Sequence, residues 1–194
     1  MDLMKVLFIN CCVRGERSRT LRLCKAHLKA IMSKYPDCEI TELYLPDQIL
    51  VPLDEQSLKL RDTLIARGEW DHPIFRFARQ LAEADHILIG APHWNMSFPA
   101  LLKIYIEQCY VYGVVVRNTE AGSVGLCQAD KLIYITTAGD ALPEIDFGAQ
   151  YLKAVFQTFG VRCFEIYSAD ALDQDDADVE AALARAEAEI EHSI

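Results

Sequence analysis

Five short β-rich runs alternate with helical segments along the whole chain, and that alternation constrains the fold more than any other feature. The runs are residues 5–9, 39–45, 87–89, 131–136 and 162–167. Between and after them, apolar residues recur at helical spacing over 18–33, 53–67, 73–83, 99–110, 147–159 and 175–192. Strands separated by helices pair in parallel, because the chain must cross back before the next strand can align. The expected fold is therefore an α/β, three-layer, doubly wound parallel sheet of five strands in the order 2-1-3-4-5. Its switch point falls between the first and third strands. The loops after strands one, three and four then share one edge, where such sheets bind ligands.

With 194 residues and no low-complexity or Pro/Ser-rich linker, the chain reads as a single domain, 1–194. A formal net charge of −10 argues against nucleic acid and anionic membranes as partners. No apolar run approaches the roughly 20 residues needed to span a bilayer. The seven cysteines are scattered, odd in number and without metal-ligand spacing, which favours reduced thiols in the cytoplasm and no metal site.

All three switch-edge loops are unusual. The first carries Arg14, Arg17, Arg19 and Arg22 with only Glu16 opposing them, and Ser18 and Thr20 where a helix begins. Free N–H groups and the dipole at a helix start attract anions, so this basic island reads as a phosphate site; a capping serine beside a solvated basic face is the alternative. Neither a G-x-G-x-x-G nor a P-loop pattern is present. The second loop follows Gly90 and Ala91 with Pro92, His93, Trp94, Asn95 and Met96, after which Pro99 opens a helix. Trp94 offers a flat apolar surface, and Asn95 with the backbone offers polar groups along the edge of a planar heterocycle. The third loop, Thr137, Ala138, Gly139 and Asp140, has Gly139 to allow close backbone approach and a threonine to donate to a ring carbonyl.

A rival reading starts from Cys11, followed six residues later by Arg17 and Ser18. This C-x5-R-S pattern resembles low-molecular-weight tyrosine phosphatases and arsenate reductases, which use a thiolate in a phosphate-cradling loop. Their general acid sits in an Asp-Pro pair, and no Asp-Pro dipeptide occurs here.

Taken in order, the three loops resemble flavodoxin-like, FMN-dependent NAD(P)H:quinone oxidoreductases and azoreductases. The resemblance runs over roughly residues 5–167 and is strongest over 91–126, which carry A-P-x-x-N, F-P-A-x-L-K-x-Y-I and a Gly-rich segment ending G-L. It implies FMN phosphate at Ser18, Arg19 and Thr20, with Cys12 in the place of an earlier serine. It implies isoalloxazine against the tetrad His93 to Met96, and the pyrimidine end at Thr137 to Asp140. Two departures stand out: Cys12 is a weaker hydrogen-bond partner than serine, and Asp140 replaces a glycine, setting a carboxylate by the expected ring edge.

The resemblance further implies ping-pong, two-electron transfer from NADH or NADPH to a small-molecule quinone, azo or nitro acceptor. It also implies a homodimer whose second subunit completes the cleft. The irregular segment 111–126, with Tyr112 and Val114 to Val116, is apolar enough to meet a partner or to cover its own core. No catalytic acid or base is assigned. A flavodoxin-type carrier of single electrons is the alternative from another class.

Overall fold

A computed structural model describes residues 3–193. The main sheet consists of β1 (Lys5–Asn10), β2 (Glu39–Tyr44), β3 (His86–Gly90), β6 (Lys131–Thr137) and β7 (Cys163–Ala169), in the order β2-β1-β3-β6-β7 with every pair parallel. Numbered among these five strands alone, that is the 2-1-3-4-5 sheet expected from the alternation. The helices are α1 (Arg19–Lys34), α2 (Glu55–Arg67), α3 (Arg76–Ala82), α4 (Ala100–Cys109), α5 (Phe147–Thr158) and α6 (Val179–His192).

Period-two alternation on the central strands sorts the helices into two layers. Leu7 and Ile9 of β1, with Leu132 and Tyr134 of β6, face the core made with α3, α4 and α5 through Phe77, Leu81, Leu102, Tyr105, Leu152 and Phe156. Phe8, Ile133 and Ile135 face the opposite core, closed by α1 and α6 through Leu23, Cys24, Leu183 and Ile190. Each fully buried Leu, Ile or Phe contributes about 1.5–3 kcal/mol relative to exposure, so the sheet is held from both faces.

Local chemistry sets the helix ends. Asp54 caps α2 by accepting from the Ser57 N–H at 2.7 Å, and Gly68 ends it in the left-handed region at φ 69°. Asp146 and Asp178 cap α5 and α6 in the same way. The expected helix over 73–83 divides into a 3₁₀ turn, Pro73–Phe75, and α3.

Of the two roles open to segment 111–126, covering its own core is the one its buried valines take. Segment 111–126 contains an antiparallel hairpin of β4 (Val116–Thr119) and β5 (Gly122–Gly125). Val111, Val115 and Val116 are buried in the molecule's own core, and only Tyr112 of the expected apolar surface is substantially exposed. The hairpin escapes pattern reading because its strands are short and bear few apolar residues.

At the edge away from the switch loops, His27 of α1 and His86 of β3 stack with an Nε2–Nε2 hydrogen bond of 3.0 Å. Burial, then the facing His86 and Lys131 charges, push His27 down to about 3, against a weaker opposing pull from Glu165. Burial and then Lys131 push His86 down to about 4, again opposed by Glu165. Below the ordinary value of 6.5 the unfolded chain binds protons that the native pair refuses. Stability is therefore full above pH 6.5 and falls as pH drops toward 4 and 3. Urea titrations should show a loss on the order of 3 kcal/mol between about pH 7 and 5, above the carboxylate range, and His27→Leu/His86→Leu should remove most of that slope.

Candidate functional site

The three switch-edge loops converge on one cleft of about 670 Å³. Extra backbone pairing beyond the strand ends brings them together. The Cys11 N–H donates to the Gly90 carbonyl, the Ala91 N–H to Ile135 and the His93 N–H to Thr137, at 2.8, 3.1 and 3.0 Å. Buried Asn10 fixes the first exit: its amide donates to Glu42 at 2.7 Å and its carbonyl accepts the Cys12 N–H at 2.9 Å.

From the first loop, Ser18, Arg19 and Thr20 line the cleft. Ser18 caps α1 by accepting the Leu21 N–H at 3.2 Å. The first-turn N–H groups of Arg19 and Thr20 have no intrahelical acceptor. The Thr20 hydroxyl shares a 2.7 Å hydrogen bond with that of Thr137, so two residues expected at opposite ends of a ligand hold α1 to β6.

The basic island is resolved into separate partners. Arg22 leaves it for Glu187 and Glu180 of α6, and Glu16 pairs with Lys25. Arg19 pairs with Asp173 at 2.6 Å. Arg14 and Arg17 line the cleft and make no ion pair among the described residues.

Cys12 lies outside the cleft. Strand alternation carries its side chain inward beside Phe8 and Cys24, with Sγ 3.6 Å from the Gly90 carbonyl. A Cβ on Gly90 would lie 2.5 Å from Cys24 Sγ, so that glycine makes room for the thiols. The same geometry removes the phosphatase reading. Cys11 is buried in the opposite core, and burial first, then Cys12, pushes its thiol up to about 12, so it stays protonated and unreachable.

Pro92, His93, Trp94, Asn95 and Met96 all line the second wall, with Trp94 and Met96 substantially exposed to it. Trp94 and Ser97 exchange two backbone hydrogen bonds, of 2.9 and 3.0 Å, around Asn95 at φ 49° and Met96 at φ 66°. Two successive left-handed residues make a type I′ turn, for which Asn-Gly is the favoured pair. Met96 in the glycine position costs about 1–3 kcal/mol, a strain that places a thioether on the cleft wall.

Thr137, Ala138, Gly139 and Asp140 form the third wall. The carbonyls of Ala138, Gly139 and Asp140 accept from Leu172, Asp173 and Ala171, which fastens this loop to the turn after β7. The N–H groups of Gly139 and Asp140 have no acceptor among the described residues. Asp173, which pattern reading did not single out, passes so close that a Cβ on Gly139 would meet its Oδ2 at 2.4 Å.

The cleft thus has a basic end built on a helix start, an aromatic and thioether wall, and a far end with unspent N–H donors. A group that is anionic at one end and a planar, acceptor-rich heterocycle at the other fits this donor set. FMN has that shape and polarity.

The family model described as flavodoxin-like fold matches residues 4–194. The chain is 36% identical over 185 residues to the FMN-dependent NADH:quinone oxidoreductase 2 of Clostridium acetobutylicum, covering 92% of each chain. It is 33% identical to the FMN-dependent NADH:quinone oxidoreductase of Coprothermobacter proteolyticus, covering 91% of this chain and 90% of that one. Among solved structures, an azoreductase from Bacillus anthracis superposes with a TM-score of 0.86 at 21% identity, covering 98% of both chains. An FMN-dependent NADH-azoreductase from the same species, in complex with FMN, gives 0.83 at 21% identity over 98% of this chain and 97% of that one. The chain belongs to the flavodoxin-like family, together with these FMN-dependent NADH:quinone oxidoreductases.

Proposed function

We propose that the protein is an FMN-dependent NADH oxidoreductase that reduces quinones or azo compounds by ping-pong two-electron transfer. The convergence of three loops on a cleft with a basic end and a Trp94–Met96 wall carries the reading. The names of the relatives supply donor and acceptor classes.

In this reading Arg14, Arg17 and the first-turn N–H groups of α1 bind the phosphate. Trp94, Asn95 and Met96 orient the ring and shield one side from water. The Gly139 and Asp140 N–H groups meet its carbonyl edge. Bound FMN supplies hydride acceptance from the nicotinamide and two-electron return to the second substrate. Asp140 is exposed, so its carboxylate is screened by solvent and disfavours added negative charge at the ring edge only weakly.

The same reading makes residues 1–194 one domain working in the cytoplasm, where its seven unpaired thiols would stay reduced. It also makes the protein a homodimer. Exposed Ile49 and Val51 border a groove that Pro52, Leu53, Ile74 and Phe77 help to line, an apolar surface suited to a second copy. Light scattering should give twice the 21.9 kDa chain mass.

The deciding experiment is a flavin titration followed by steady-state kinetics with NADH and a benzoquinone. Stoichiometric FMN binding and parallel double-reciprocal lines are expected. A flavin-binding protein that does not oxidise NADH would be a carrier instead, and a protein with no affinity for FMN would overturn the assignment of all three loops.

A further inference from the structure

His93 sits on the cleft wall with one ring nitrogen turned away from it. Its Nδ1 is buried and has no hydrogen-bond partner among the described residues. A carboxylate oxygen, Asp146 Oδ1, lies 4.0 Å away, and both side chains are largely buried. Asp146 is the N-cap of α5, and the same Oδ1 accepts the Ala149 N–H at 3.0 Å, which fixes the carboxylate's direction. The His93 backbone is pinned from the other side by its bond to Thr137. Gly148 leaves room for the carboxylate, since a Cβ there would lie 3.2 Å from Asp146 Oδ1 and 3.1 Å from Phe98.

This arrangement distinguishes the two neutral forms of the imidazole. With the proton on Nδ1, an N–H group lies 4.0 Å from a carboxylate oxygen. With the proton on Nε2, the Nδ1 lone pair faces that negative charge in a buried setting where it is poorly screened. Two further buried polar atoms without a geometric hydrogen bond among the described residues, Tyr134 Oη and Thr136 Oγ1, lie two residues apart on one face of β6. Burial pushes the Tyr134 phenol up, against a smaller opposing pull from the neighbouring Thr136 hydroxyl and with a lesser addition from the Asp146 charge, and keeps it protonated. Polar groups without partners are rare in a core, and His93 Nδ1 is one that belongs to a cleft residue.

We propose that Asp146 is a positioning residue that holds the His93 proton on Nδ1, so that Nε2 carries a proton between solvent and the reducible substrate. The proposal rests on the flavin reading of the cleft. Reduction of a quinone to a hydroquinone needs two electrons and two protons. The electrons and one proton arrive as a hydride equivalent, originally from NADH. The second proton passes from the His93 imidazolium at Nε2 to the developing phenolate oxygen, leaving neutral His93 with its proton on Nδ1. Solvent then reprotonates Nε2. The imidazolium formed between turnovers faces the Asp146 carboxylate, as the base in a catalytic triad faces its orienting acid.

The test uses Asp146→Asn, because asparagine caps helices as well as aspartate does and α5 should remain intact. Long-range ¹H–¹⁵N NMR of the His93 ring reads which nitrogen bears the proton, in the chain with and without FMN. Stopped-flow then separates reduction by NADH from reoxidation by a benzoquinone across pH. The expected result is an Nδ1–H tautomer in the parent protein and a shift toward Nε2–H in Asp146→Asn. Reoxidation should slow by at least about tenfold with a changed pH profile, while reduction stays within about twofold, and Asp146→Glu should restore the tautomer. An unchanged tautomer in Asp146→Asn, or an equal fall in both half-reactions, would overturn the proposal. Failure of the flavin reading would show separately, as absent flavin absorbance in the parent protein, while the tautomer of the flavin-free chain would still decide the positioning role.

Discussion

Replacing Arg14 and Arg17 together with glutamine should raise the FMN dissociation constant by at least about a hundredfold. Each guanidinium lines the cleft without a carboxylate partner among the described residues, whereas Arg19 and Arg22 are already committed. Hydrogen bonds from charged donors are worth about 1.5–3 kcal/mol each, and two removed together exceed the roughly 2.7 kcal/mol of a hundredfold change. Both side chains are exposed, so the fold should lose no more than about 0.5 kcal/mol per site. Titration with riboflavin, which has the same ring system and no phosphate, separates the two ends of the cleft. Its affinity should be nearly the same in parent and variant. An equal loss for both ligands would mean that the arginines act on the ring or on the loop's structure rather than on phosphate.

Gly125→Ala should destabilise the fold by about 3 kcal/mol or more, a larger cost than any surface change. A Cβ at this position would lie 2.1 Å from the Gly160 nitrogen and 2.1 Å from the Phe159 carbonyl carbon. Those are backbone atoms, so no side chain can swing away, and overpacking against a rigid neighbour sits at the high end of its usual range. Gly160 is the matching half of the contact, at φ 103° and with its own missing Cβ 3.2 Å from Gly125. Together they let β5 seat against the end of α5, where the Cys127 N–H donates to Phe159 at 3.0 Å. Denaturant unfolding of Gly125→Ala beside Val124→Ala, an exposed change on the same hairpin, measures the difference. A cost below about 1 kcal/mol would show that the hairpin can lift off α5 without disturbing the core.

The sequence discloses much of this architecture because the strongest signals are periodic. Residues 5–9 and 131–136 alternate between two buried faces, and their separation by helices leaves few topologies. Arg14, Trp94 and Gly139 reach one cleft because parallel pairing sends the ends of β1, β3 and β6 to one edge. What stayed hidden depends on direction and distance. Cys12 looks like a loop residue in the sequence, yet the alternation of Phe8 continues past the strand end and turns its thiol inward. Asp146 goes unremarked in the sequence, since no local pattern reveals that a histidine 53 positions earlier lies 4.0 Å away. Asp173 is one of several acidic residues after β7, and only the absent Cβ of Gly139 marks it as a neighbour of the cleft. The β4–β5 hairpin is missed because four-residue strands bearing Asn, Thr, Ser and Gly give no two-residue hydrophobic rhythm.

The cleft is assembled from the exits of β1, β3 and β6, and this ties ligand binding to the whole folding reaction. No pair of these loops makes the site alone, and the third arrives only after residue 131 has joined the sheet. A nascent chain therefore has nothing to offer the flavin until β6 has been made and the crossovers before it have closed, steps that are slow for parallel sheets. Ligand captured at that stage acts on the native state only. At a hundred times its dissociation constant it adds about 2.7 kcal/mol to global stability. Cellular flavin supply would thus set how much of this protein survives proteolysis as well as how much is active.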